Sequence, residues 1–372
     1  MNTKYWVAFS SIEQIDSKFI ITLFNCFGDI KYAFEAPDSE LLKIESISRK
    51  KLEEFIKLRK AVDVEERYQA VLNRGIKILT YEDSRYPYML KNIDNPPAVI
   101  YYKGEIFDCN LEKTIAVVGS RRLSVNGRES LKKVMKGFYN TDLCVVSGLA
   151  TGADTCAHNF ALENGLKTIG VIAGGLDFVY PASNKALYEQ IINGNGAVIS
   201  EYYPTFEPIK FRFPQRNRVV SGLSFGTLVV EAALKSGALI TANLTLEQGR
   251  ELMCIPGLIT NPNTEGIYKL IKTGATIVTE SEDVLNALNW VSGVQQSLFD
   301  TNAESKIEDD ENLTIDEKKI LYTIEIEPKS FDEILKASNI DTETLLMALT
   351  TLELKGYIEQ TVGDRYKKRW VR

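Results

Sequence analysis

Between residues 113 and 288 seven short apolar runs follow one another, separated by longer amphipathic stretches. The runs are 115–118, 143–146, 168–172, 197–200, 227–230, 252–255 and 276–278. They are only three to five residues long and bounded by turn residues, which reads as strand and not helix. Helical periodicity fills the gaps, for example at 128–138, 154–163 and 187–192. A strand that is apolar along its whole length must be covered on both faces, which requires a parallel sheet with helices on either side. Several runs end in glycine, at Gly119, Gly148, Gly174-Gly175 and Gly257. In open sheets of this kind ligands bind at the carboxyl ends of the strands, where turns and helix N-termini present backbone N–H groups.

The chain has 372 residues, enough for two or three domains. Residues 1–70 carry helical periodicity through Ile12, Ile15, Phe19, Ile20, Leu23, Phe24 and Phe27, then Leu52, Phe55 and Ile56. They are expected to form a small helical domain of the SAM or helix-hairpin-helix kind. Residues 71–111 read as a strand-bearing connector and 112–290 as a Rossmann-like α/β core. Residues 291–312 read as an acidic linker. Residues 313–372 follow the order helix (316–324), helix (331–337), helix (342–355), hairpin (357–360 with 366–371), which predicts a winged-helix domain.

Composition removes several classes. Hydrophobic residues are 44% and charged residues 25% of the chain, an ordinary globular mixture. No apolar run approaches the ~20 residues of a membrane span. The first residues, Met1-Asn2-Thr3-Lys4, do not resemble a signal peptide. Five cysteines without a CxxC pair argue against a disulfide scaffold or zinc knuckle and for a reducing, cytoplasmic setting. The net charge of −6 argues at face value against nucleic acid. Its distribution removes that objection: residues 291–312 hold one basic against six acidic residues, and the rest of the chain is close to neutral. Local basic clusters bind phosphate whatever the total.

Three segments offer chemistry. Val117-Val118-Gly119-Ser120-Arg121-Arg122 is a strand, a glycine turn, a hydroxyl and a guanidinium, suited to cradling a phosphate. Ser147-Gly148-Leu149-Ala150-Thr151-Gly152-Ala153-Asp154 is a second glycine loop, with Asp154 placed to cap the next helix. Neither is GxGxxG or GxxxxGK[ST], so the common nucleotide-cofactor routes are absent and no cofactor is expected. The third is Lys210-Phe211-Arg212-Phe213-Pro214-Gln215-Arg216-Asn217-Arg218, cations interleaved with aromatic rings. Cations neutralise phosphates while rings stack on unpaired bases, so this segment points to single-stranded nucleic acid. Catalysis has little support. His158 is the single histidine and stands alone, and no zinc or serine-hydrolase motif is present.

Taken together these residues are recognisable. Val118-Gly119-Ser120-Arg121, Ser147-Gly148-Leu149-Ala150-x-Gly152-x-Asp154-x-x-Ala157-His158, Gly175-Leu176-Asp177-x-x-Tyr180-Pro181-x-x-Asn184 and Phe213-Pro214-x-Arg216-Asn217-Arg218 closely resemble the DNA-processing protein A (DprA/Smf) family. So do Ser236-Gly237-Ala238-Leu239-Ile240-Thr241-Ala242, Glu247-Gln248-Gly249-Arg250 and Ile255-Pro256-Gly257, all in order through 115–280. The resemblance implies a non-catalytic single-stranded DNA-binding protein of natural transformation, one that protects incoming DNA, loads the RecA recombinase and acts as a homodimer. It implies DNA contacts at Arg121 with its Gly119-Ser120 turn, and at Lys210 and Phe213. Further contacts are implied at Lys185 and at Arg216, Asn217 and Arg218.

The rival from another class is an enzyme. Ser224-Phe225-Gly226-Thr227 followed by Glu231 faintly resembles the motif of LOG-type nucleotide phosphoribohydrolases, but the glutamate stands one residue late and two glycines are missing. Other nucleotide-binding Rossmann enzymes lack support for want of GxGxxG. Finally, Gln295-Gln296-Ser297-Leu298-Phe299 resembles the bacterial sliding-clamp pentapeptide, with Gln295, Leu298 and Phe299 as the expected contacts.

Overall fold

A computed structural model describes residues 2–105, 111–139, 141–290, 313–324, 329–338, 340–355, 357–361 and 365–368. The linker, with its clamp-like peptide at 295–299, lies outside the described residues. The chain divides into two compact units, Met1–Trp290 and Val291–Arg372.

The first unit is built on a nine-stranded sheet. Its strands are β1 (Lys77–Thr80), β2 (Val99–Gly104), β3 (Thr114–Val118), β4 (Cys144–Ser147), β5 (Lys167–Val171), β6 (Gly196–Ser200), β7 (Gly226–Val229), β8 (Glu251–Cys254) and β9 (Thr276–Ile277). Their order across the sheet is β1-β2-β6-β5-β4-β3-β7-β8-β9. Strands β3 to β9 are parallel, and β2 joins β6 antiparallel, with Tyr101 opposite Ser200. The two strands from the segment read as a connector thus extend the main sheet. The chain steps outward from β3 through β4, β5 and β6, then returns to lay β7 on the other side of β3. That reversal leaves a crevice at the carboxyl ends of β3 and β7, the place where such sheets bind ligands.

Strand alternation explains the two covered faces. Ile115 and Val117 turn to one side and pack with Leu131, Val134, Phe138, Ala157 and Phe160. Ala116 and Val118 turn to the other and pack with Val219, Val220, Ala238 and Ala242. A third cluster joins the N-terminal helices to the sheet: Trp6, Phe9, Leu23 and Phe55 belong to one apolar body with Leu149, Ile172 and Val198. Phe9 stacks on Phe55 at 5.0 Å and meets Phe34 edge-on at the same distance. The first of the long N-terminal helices begins later than the apolar periodicity suggests. Asp16 caps Ser17–Phe27 by accepting from the Phe19 amide at 2.8 Å, which leaves Ile12 and Ile15 buried in the preceding turn.

The second unit has helices Ile315–Thr323, Phe331–Ser338 and Thr342–Leu354 and strands β10 (Lys329–Ser330), β11 (Ile358–Thr361) and β12 (Arg365–Lys368), paired in the order β10-β12-β11. Ile320, Ile334, Leu345, Leu349, Leu352 and Ile358 form its core. Thr314 and Glu317 close a capping box on its first helix. The two-residue β10 is the element that the sequence did not announce. Its partner β12 supplies the hydrogen bonds that fix it, and so short a run has no periodicity of its own.

Candidate nucleic-acid interface

A groove of about 710 Å³ opens at the crevice between β3 and β7. Gly119, Ser120 and Arg121 form one wall, directly after β3. Gly148, Ala150 and Asp154 line it from the turn after β4, and Lys210, Phe213, Pro214, Arg216 and Asn217 from the helix Arg212–Gly222 and its approach. Tyr180, Lys235 and Ser236 complete the rim.

Close backbone approach sets this geometry. A side chain at Gly119 would place its Cβ 2.7 Å from that of Ala153, at the start of the helix Ala153–Glu163. Gly152 takes a positive φ of 80°, and a Cβ there would lie 2.3 Å from the Ser120 carbonyl oxygen. The two glycine loops therefore nest against each other, and the Ala153 amide donates to the Ser120 carbonyl at 3.1 Å. Ser120 accepts from the Arg122 amide at 3.0 Å, which turns the chain so that Arg121 projects into solvent.

The Arg121 guanidinium lies 5.8 Å from the ring centre of Phe213, and Tyr180 meets that ring edge-on at 5.4 Å. Lys210 and Lys235 also line the groove and are exposed. Ser236 caps the helix Gly237–Glu247 through the Ala238 amide, so this helix directs its positive end to the groove. The result is a cleft with three exposed cations and a half-buried aromatic ring. That arrangement suits a flexible polyanion with planar groups.

The segment 210–218 behaves differently from an exposed loop of alternating cations and rings. From Arg212 it is helical, and the helical period sorts its residues. Phe213 and Asn217, four apart, reach the groove, whereas Arg212 and Arg216 are 2% and 5% exposed. Arg216 forms part of the groove floor but its charge is committed: it donates to the carbonyl oxygens of Gly148 at 2.7 Å and of Val171. Arg218 is paired with Glu201 at 2.5 Å, both side chains nearly buried, and does not line the groove. Lys185 is exposed at the start of the helix Lys185–Asn193 and also does not line it. The structure thus brings together Gly119, Ser120, Arg121, Lys210, Phe213, Arg216 and Asn217, and leaves Lys185 and Arg218 outside. Tyr180, Lys235 and Ser236 enter as lining residues that pattern reading did not assign. Tyr180 and Ser236 stand inside recognisable motifs, but nothing in their spacing shows that they meet Phe213 and Arg121.

Asp154 is 7% exposed and accepts from the amides of Gly148 at 3.1 Å and Ala150 at 3.3 Å. Burial pushes its carboxyl above the usual range, opposed by the positive charge of Arg216 and by those amides. Burial likewise lowers Arg216. His158 is fully buried away from the groove. Its Nδ1 lies 2.7 Å from the Thr168 hydroxyl, which itself donates to the Val145 carbonyl at 2.8 Å. The histidine must therefore donate through Nδ1, and Nε2 is left without a partner. A proton on Nε2 would sit unpaired in the core, and burial holds the ring's pKa down to about 3. Glu231, the carboxylate on which an enzymatic reading rests, is 3% exposed. It accepts from the Ser124 amide at 3.0 Å, the Ser124 hydroxyl at 2.5 Å and Asn261 at 3.3 Å. Among the described residues no three His, Cys, Asp or Glu side chains cluster to hold a metal ion, and no helix is long and apolar enough to cross a membrane.

Comparison with known proteins agrees with this geometry. The family model described as DNA recombination-mediator protein A matches residues 77–289, and the DprA winged helix domain matches 304–364. DNA processing protein DprA of Streptococcus pneumoniae is 46% identical over 203 residues, covering 55% of this chain and 71% of its own. Its X-ray structure superposes with a TM-score of 0.66, covering 76% of this chain and 97% of that one at 35% identity. Protein Smf of Synechocystis is 30% identical over 392 aligned positions, 98% of each chain. DNA processing protein A of Helicobacter pylori, whose structure is described as showing a unique single-stranded DNA binding mode, superposes with a TM-score of 0.51. It covers 57% of this chain and 95% of its own at 28% identity. With the sheet, the winged helix and the ordered glycine loops all accounted for, the chain belongs to the DNA-processing protein A (DprA/Smf) family.

Proposed function

We propose that this protein binds single-stranded DNA in the β3–β7 groove, without catalysis, and there protects incoming DNA and hands it to the RecA recombinase during natural transformation. The observation that carries the DNA reading is the cluster of Arg121, Phe213 and Tyr180, in a groove that Lys210 and Lys235 also line. Phosphates run between Arg121, Lys210 and Lys235, whose charges have room to follow a flexible backbone. An unpaired base stacks at Phe213, in register with the cations. Asn217 supplies a neutral amide on the same wall, and the Gly119-Ser120 turn brings backbone close to a phosphate. Arg216 acts as a framework residue beneath them.

No side chain in the groove has the geometry of a nucleophile and its base. Asp154, in the groove wall, is held by two amides, and Glu231, which does not line the groove, is held by Ser124 and Asn261, which favours a binding groove over a phosphoribohydrolase site. We assign the homodimer and the RecA surface on family membership alone, and name no residues for them. The cytoplasmic setting follows from a partner such as RecA. The clamp-docking reading of Gln295, Leu298 and Phe299 rests on their sequence alone, and calorimetry with a peptide of residues 293–302 tests it. For the groove itself the test is fluorescence anisotropy with a labelled oligothymidylate, alongside an assay for ribose phosphate release from AMP. Salt-dependent binding without release supports the proposal, whereas release without binding overturns it.

A further inference from the structure

The helix Arg212–Gly222, which carries Phe213 and Asn217 into the groove, is gripped on its other side by the N-terminal helical segment. Arg212, its first residue, donates to Glu13 at 2.6 Å and to the Glu207 carbonyl at 2.5 Å. Its guanidinium lies 4.8 Å from the ring centre of Tyr202 and 5.2 Å from that of Phe206. Farther along, Arg218 donates to both oxygens of Glu201 and to the Asn95 carbonyl, and Ser17 reaches Glu201 at 3.4 Å. A cavity of about 280 Å³ lies between these contacts, with Glu13, Asn95, Glu201, Arg212 and Arg218 among its walls. The amide oxygen of Asn95 has no partner there. At this junction the N-terminal segment therefore holds the groove helix by directed polar contacts spanning a gap, and not by continuous apolar packing.

We propose that Glu13 is a positioning residue for the DNA groove, acting through Arg212 on the aromatic ring of Phe213. This rests on the reading of the groove as a single-stranded DNA site. Glu13 stands in the turn before helix Ser17–Phe27, 199 residues before its partner. Arg212 is a buried cation with aromatic rings against it, and Glu13, whose own side chain is half-exposed, is the carboxylate that balances it. With a neutral amide in place of the Glu13 carboxylate the buried guanidinium keeps its bond to the Glu207 carbonyl but loses its counter-charge, so the first turn of the helix shifts to bring it nearer water. Phe213 is the next residue in the helix, whereas Lys210 lies before the helix and is exposed, and its long flexible stem lets the ammonium keep its place by the phosphates. The shift therefore displaces the stacking ring from Arg121 and Tyr180, while Arg121 and Lys235 keep their places on other elements. A binding group displaced by more than about 0.5 Å loses much of its contribution.

The proposal separates base stacking from phosphate attraction, and the test uses that separation. Glu13→Gln in the full chain is titrated against labelled oligothymidylate and against an abasic deoxyribose-phosphate oligomer of equal length. We expect roughly fivefold weaker binding to oligothymidylate, within the coupling range of residues that share one network, with abasic binding unchanged. In a Phe213→Ala background the same substitution has no further effect, and Glu13→Asp restores wild-type affinity. Lys51→Ala, which breaks the neighbouring surface pair with Asp16, leaves both affinities unchanged. Should Glu13→Gln fail to fold in a thermal melt, Arg212→Lys, which keeps the charge and loses the fork, gives the same selective loss. Wild-type affinity in the substituted protein, equal losses on both oligomers, or additivity with Phe213→Ala overturns the positioning role. Absence of oligothymidylate binding in the wild type overturns instead the groove reading on which it rests.

Discussion

Arg216 donates a 2.7 Å hydrogen bond to the carbonyl oxygen of Gly148, and so ties the groove helix to the turn that follows β4. With its second bond to Val171, at the end of β5, this guanidinium holds the tips of two neighbouring strands. A residue type usually read as a phosphate ligand is here a strut. Arg216→Ala removes the donor to the carbonyls of Gly148 and Val171 and to the Asn217 amide oxygen, and takes from Asp154 its nearest counter-charge. It is expected to lower unfolding free energy by about 3–5 kcal/mol, the cost of breaking a buried charged network from one side. Urea melts followed by tryptophan fluorescence check this. A variant as stable as wild type but deficient in DNA binding would return Arg216 to the role of a ligand.

Arg121 is the opposite case. Its side chain is exposed, and its stabilising contact is the face of Phe213. Arg121→Ala is expected to leave the melting temperature unchanged within error while lowering affinity for every oligonucleotide sequence. The slope of log affinity against log salt should flatten by about one phosphate. Phe213→Ala should cost ~1–3 kcal/mol of binding with the salt slope retained, as expected where one base stacks on the ring. If neither substitution alters affinity, the DNA path lies elsewhere.

The chain divides into two compact units, and every residue lining the groove belongs to the first. A chain ending at Trp290 keeps every described strand of the large sheet and all groove-lining residues. It is expected to fold and to bind oligothymidylate within about threefold of the full chain, since tethered domains with a polar linker act independently. A folded truncation that does not bind would make the winged helix the DNA reader.

His158 gives a pH signature without titrating in the folded range. The folded ring resists protonation down to about 3, whereas the unfolded ring takes its proton near 6.5. Below pH 6.5 the unfolded chain therefore binds one more proton than the folded chain, and stability falls as pH falls towards 3. The slope contributed by this residue approaches about 1.4 kcal/mol per pH unit. His158→Gln should flatten the stability profile between pH 6.5 and 4.5 relative to wild type. As the chain has one histidine, no other imidazole obscures the comparison. Parallel profiles for the two proteins would show that the ring is hydrated or already charged.

How much of this was legible in the chain depends on the range of the forces involved. The seven runs from 115 to 278 predict β3 to β9 to within about a residue, because short apolar segments between turns have one way to bury both faces. The winged helix is legible for the same reason, through the periodicity of Ile320, Ile334, Leu345, Leu349 and Leu352. The glycine-serine-arginine turn and Phe213 also stand out, since their chemistry is local. The fate of the other cations is not local. Whether an arginine between 212 and 218 meets DNA or the protein interior depends on the phase of one helix. It also depends on acceptors far along the chain: Glu13 for Arg212, Gly148 and Val171 for Arg216, Glu201 and Asn95 for Arg218. Composition and spacing alone thus determined the parallel strands β3 to β9, the helices between them and a basic, aromatic segment. Only the tertiary structure decided which charges remain free, because a cation is committed or available according to the carbonyls and carboxylates that folding brings within about 3 Å of it.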